Sequence, residues 1–125
     1  MRIMLSGIII ALFVTSALAA GAMSGKELTA LLGNGKTLML GGPGAGYKGE
    51  LTLTKDGKGM GQVTLDNGQV IKIQGSWKIK GKKFCRTWIG GRDAGKQVCE
   101  TWVKTGDKSV KVMVGKKDIG TNSWN

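Results

Sequence analysis

From Gly35 onward, apolar and polar side chains alternate with the period of two that marks half-buried β-strands. The clearest stretch is 70–79, where Ile71, Ile73, Trp77 and Ile79 share one side and Lys72, Gln74, Ser76 and Lys78 take the other. Leu51 and Leu53 share a side, and Val110, Val112 and Val114 oppose Lys111. Turn chemistry separates such stretches: Lys55-Asp56-Gly57-Lys58, Asp66-Asn67-Gly68-Gln69, Lys80-Gly81-Lys82-Lys83, Gly90 to Lys96, and Gly106-Asp107-Lys108. Asp-Gly and Asn-Gly are strong hairpin signals, because primed turns need positive φ. The pattern predicts strands over 36–40, 47–54, 59–65, 70–79, 84–89, 97–105 and 109–114, with Ile119 and Trp124 available for one more. Turns this short join only antiparallel neighbours, so the sheet is expected to be a meander.

One helix is predicted ahead of the strands. Ser24-Gly25-Lys26-Glu27 has capping-box spacing, Leu28, Leu31 and Leu32 form an apolar stripe, and Gly33 is a suitable stop. A helix so short is marginal alone and is expected to plug or cap the sheet. A sheet with one apolar face and so little helix to cover it must curl into a barrel or fold over as a sandwich. The meander favours the barrel, since sandwiches generally need Greek-key crossings. The fold class expected is therefore all-β with one short N-terminal helix: an antiparallel meander closing into a small lipocalin-like barrel of about seven or eight strands.

The first twenty residues read differently. Arg2 supplies a positive start, Ile8 to Val14 an apolar stretch, and Ala17-Leu18-Ala19 a small-x-small cleavage site, the arrangement of a secretory signal. Residues 1–20 are expected to be removed, leaving 21–125 as one domain in a periplasmic or secreted location. In an oxidising compartment two cysteines favour a structural disulfide over metal or redox chemistry. Linking Cys85 to Cys99 closes a loop of about 15 residues, worth roughly 3 kcal/mol by chain entropy.

Charge narrows the partners. The chain carries 19 Lys+Arg against 8 Asp+Glu, a formal +11, and nearly all the cations are lysine. Nucleic-acid readers lean on the forked guanidinium of arginine, and an exported chain rarely meets nucleic acid. The expected partners are an anionic envelope lipid or polysaccharide, through peripheral membrane contact, or a small amphipathic ligand. Scattered lysines also serve solubility and guard strand edges.

Catalytic chemistry is poorly supplied. With no histidine, Ser-His-Asp and Cys-His machinery and His-based zinc sites are excluded. Gly33-Asn34-Gly35-Lys36-Thr37 ends like a phosphate loop but lacks the leading glycine and runs from helix to strand, and Gly41 to Gly46 is also followed by a strand, so both read as plain loops. What survives is a carboxylate pair of the glycosidase kind, drawn from Glu50, Asp66, Asp93, Glu100 or Asp107. The expectation is a non-enzyme without a cofactor or metal.

Cys85-Arg86-Thr87-Trp88 and Cys99-Glu100-Thr101-Trp102 repeat one Cys-x-x-Trp unit on two strands around a Gly-rich turn. If Cys85 stands opposite Cys99, Arg86 faces Val98 and Phe84 faces Glu100, which makes Arg86 and Glu100 diagonal neighbours on one face. That face also holds Trp88, Trp102 and Lys104, and the disulfide lies on the other. Two readings remain open. In one, the tryptophans fill the barrel with Trp77 while Arg86 and Glu100 pair inside it. In the other, Trp88, Trp102, Arg86 and Lys104 form a ligand-binding face that stacks on an amphipathic ligand and holds an anion, ringed by Lys82, Lys83, Arg92 and Lys96.

Gly75-Ser76-Trp77-Lys78-Ile79, then Cys85-Arg86-Thr87-Trp88, then Cys99 make a Gly-x-Trp, Cys-x-x-Trp, Cys core. It resembles that of short exported proteobacterial proteins forming a domain-of-unknown-function family. The resemblance covers Tyr47 to about Thr105 and implies a signal peptide, a Gram-negative envelope location and a compact β fold, with no activity and no catalytic residue. The function expected is an exported, non-enzymatic envelope binding protein. Its rivals are an interaction protein that pairs with another envelope protein through an uncovered strand edge, and a small carboxylate-dependent glycan hydrolase.

Overall fold

In the computed structural model, residues 21–91 and 93–125 are described. The export signal expected over 1–20, and Arg92 among the cations expected around the tryptophans, lie outside the described residues. Helix α1 (Gly25–Leu32) leads into β1 (Lys36–Gly41), β2 (Tyr47–Leu53), β3 (Lys58–Leu65) and β4 (Val70–Lys80). After them come β5 (Lys83–Trp88), β6 (Gln97–Gly106), β7 (Ser109–Val114) and β8 (Lys117–Ser123). The strands pair antiparallel in chain order, and β1 meets β8 to close the barrel. The expected all-β barrel is therefore the observed one, with Ile119 inside an eighth strand and Trp124 just beyond it. Closure leaves no whole strand with a free edge. The closing seam is narrow: Met39 faces Ser123 and Leu40 faces Asn122, whereas β1 and β2 stay paired from Lys36 and Leu53 to Gly41 and Lys48.

Local chemistry sets the turns and the cap. Gly57 and Gly68 take φ of 89° and 90°, the left-handed conformation that Asp-Gly and Asn-Gly turns require. The Ser24 hydroxyl accepts from the Glu27 amide and the Glu27 carboxylate accepts from the Ser24 amide, a complete capping box. Before β1, the Met23 amide donates to the Trp102 carbonyl at 2.8 Å, tying the helix entrance to β6.

The inward side chains divide the barrel into two ends. Towards α1, Met23, Leu28, Leu32, Leu38, Leu53, Trp102 and Val110 form a packed core. Trp77, Phe84 and Trp102 continue it as an aromatic ladder, with ring centroids 5.8 Å and then 5.0 Å apart. Trp88 is accommodated by glycine: a Cβ on Gly59 or on Gly75 would stand 2.9 Å from its indole ring. Gly75 and Trp88 are register partners across β4 and β5. The Gly-x-Trp and Cys-x-x-Trp units are thus two halves of one packing arrangement.

The Cys85–Cys99 disulfide joins β5 and β6 on the outer face, in the register Phe84–Glu100, Cys85–Cys99, Arg86–Val98. It staples a ladder only four residue pairs long. Replacing both cysteines by alanine is expected to lower unfolding stability by about 3 kcal/mol, read from denaturant midpoints, with the barrel's far-ultraviolet dichroism retained.

Candidate functional site

At the end away from α1 the barrel is hollow. A cavity of about 330 Å3 is walled by Leu40, Tyr47, Val63, Leu65, Ile71 and Ile73, with Ile119, Gly120 and Asn122 from β8 completing the ring. Gly90, Gly91 and Asp93, which follow β5, lie at its mouth, and Phe84, Arg86, Trp88, Glu100 and Val112 line its deeper part. The wall is apolar because these are the inward positions of strands with period two. Side chains do not fill it, because the one helix packs into the opposite end.

The deeper part carries Glu100, the one buried charged residue among those described, and the largely covered Arg86. Arg86 donates from Nε to Glu100 Oε2 at 2.5 Å, and Trp102 donates from its indole nitrogen to Glu100 Oε1 at 2.9 Å. The arginine and glutamate side chains are 12% and 6% exposed. Both carboxylate oxygens thus hold a donor, the condition under which a charge is tolerated out of water.

The four residues of the expected ligand-binding face do not stay together. Trp88 and Arg86 line the cavity. Trp102 is fully buried below it and serves Glu100. Lys104 sits beyond the packed end, exposed, with its Nζ 2.8 Å from Glu27 Oε2 on α1. Alternation does put Lys104 on the tryptophan side of β6, but by then the strand has passed the end of the barrel and meets the helix. Each cation expected to hold an anion already has a glutamate partner, Glu100 for Arg86 and Glu27 for Lys104. The two cations thus sit in two separate ion pairs.

The expected glycan-hydrolase carboxylates fare similarly. Asp93 and Glu100 share the cavity wall, but Glu100 is engaged on both oxygens, and Glu50, Asp66 and Asp107 are exposed elsewhere. Among the described residues no group of three Cys, Asp or Glu side chains gathers to hold a metal, and no helix is long and apolar enough to cross a membrane. Sequence reasoning missed Tyr47, Asn122 and the mouth glycines. Period two marks inward residues, yet it does not say which of them face a void.

The Glu27–Lys104 pair gives the helix a pH-sensitive latch. The hydrogen bond from Lys104, then that from the Ser24 amide, hold the Glu27 carboxyl below the usual carboxylate range. A carboxyl depressed in the folded state stabilises above its unfolded value, about 4.3, and loses that contribution as pH falls through the folded one. Thermal midpoints should therefore drop as pH falls below about 4.3, and Glu27→Gln should flatten that part of the profile. Comparison with protein-family models, curated proteins and solved structures finds nothing that matches this chain.

Proposed function

We propose that this chain is an exported, non-enzymatic binding protein of the bacterial envelope that holds a small amphipathic ligand in the open end of its barrel. The observation that carries this reading is the apolar cavity of about 330 Å3 with a buried ion pair in its depths. Ligand pockets are built this way, from apolar walls with a few placed polar groups. A void of about 150 Å3 accepts benzene, so this one suits a ligand of about a dozen non-hydrogen atoms. The disulfide and the signal-like N-terminal sequence support export, and the doubly engaged Glu100 supports binding over hydrolysis. Native mass spectra of protein isolated from its own envelope should show a small added mass. Val63→Trp, which fills the void from β3, should remove it while leaving the barrel folded. A bare mass in the wild-type protein would refute the reading.

A second reading, attachment to an anionic lipid surface, is favoured by the outer wall of β3 to β5. Its outward side chains include Lys58, Lys72, Lys78, Lys80 and Lys83 and no carboxylate. Met60, Val70 and Ile89, the exposed large apolar residues, lie on the same wall. Met60 and Ile89 flank Gln74, Met60 as its register partner and Ile89 through its amide on the Gln74 carbonyl. Basic side chains near such a surface contribute about 1 kcal/mol each, and apolar ones insert. Co-sedimentation with phosphatidylglycerol vesicles should exceed that with phosphatidylcholine, fade as salt rises, and fall at least tenfold in Lys72→Glu/Lys78→Glu.

A further inference from the structure

Resting on the ligand-binding reading of the cavity, we infer that its ligand presents an uncharged hydrogen-bond acceptor, such as an amide, ester or alcohol oxygen, to the terminal nitrogens of Arg86. A guanidinium has five N–H donors in a fixed fork. Arg86 commits its Nε to Glu100, and among the described residues neither of its terminal nitrogens makes a hydrogen bond to protein. The side chain lines the cavity and is largely withdrawn from solvent. Among the described residues no protein acceptor engages these donors, so they meet whatever enters the cavity.

Charge decides what kind of acceptor fits. Among the described residues, the charged side chains lining the cavity are Arg86, Glu100 and Asp93. Arg86 and Glu100 cancel, and Asp93 leaves the described part of the lining with no surplus cation. A carboxylate head would bring another anion to a guanidinium already shared with Glu100, in a place where unbalanced charge is strongly disfavoured. An ammonium head would meet the guanidinium's own charge, and the two oxygens of Glu100 already hold donors. A neutral oxygen takes the idle donors and adds no charge. Val63, Ile71 and Ile73 then cover an alkyl or aryl remainder.

Decanamide, decanoate and decylammonium match the cavity in size and differ in head charge, so isothermal titration at pH 7 separates the cases. Decanamide is expected to bind at least tenfold tighter than either ion. In Arg86→Met/Glu100→Gln, which removes both charges and keeps an acceptor for Trp102, that preference should disappear. Arg86→Lys keeps the charge opposite Glu100 but loses the fork, and should weaken decanamide at least tenfold with circular dichroism unchanged. This second variant decides the matter if the double one does not fold. Decanoate or decylammonium binding as tightly as the amide would overturn the head-group inference and leave ligand binding standing. If none of the three binds at about 1 mM, both fall together.

Discussion

The interior of this barrel is organised around one ion pair. Arg86 and Glu100 come from neighbouring strands, meet diagonally, and stand where the packed end gives way to the hollow one. Removing one member of such a pair costs about 3–5 kcal/mol, because the other is left charged and buried, whereas a well-packed apolar replacement of both is often tolerated. The pair is therefore not explained by stability alone. It sets a polar level inside an apolar tube, and Trp102 fixes the carboxylate at that level by donating from below. The disulfide holds the two strands in the register that brings the charges together.

Packing on the α1 side follows from the same register. Phe84, Arg86 and Trp88 point inward on β5, Glu100 and Trp102 on β6, and the sulfurs therefore take the other side of both strands, with Cys85 itself buried. The indole of Trp88 then needs space that only residues without a Cβ provide, which is why Gly59 and Gly75 stand against it. The motif of glycines, tryptophans and cysteines thus describes a glycine–tryptophan cluster on one side of these strands and a disulfide on the other.

Much of this was legible in the sequence because alternation and turn chemistry act locally. The run from Ile71 to Ile79 fixes its own faces, Asp56-Gly57 and Asn67-Gly68 fix their hairpins, and the cysteine register predicts the Arg86–Glu100 diagonal. β8 was harder to read, since Ile119 is nearly alone among polar neighbours and the ladder slips between Val112 and Met113. The site was legible only in part. Period two assigns Lys104 and Trp88 to one side, but it has no knowledge of where the barrel ends or of the helix that meets Lys104 there. Nor does it distinguish Leu38, which is packed, from Leu40, which faces the void. That distinction comes from α1, whose leucines fill one half of the tube and leave the other.

The seam between β1 and β8 has a consequence for motion. Backbone opening begins where the fewest ladder bonds must break, and here two register pairs hold the wall shut while every other junction has four or more. Leu40 and Asn122 belong to that junction and also border the hollow. The weakest junction of the wall therefore runs beside the cavity.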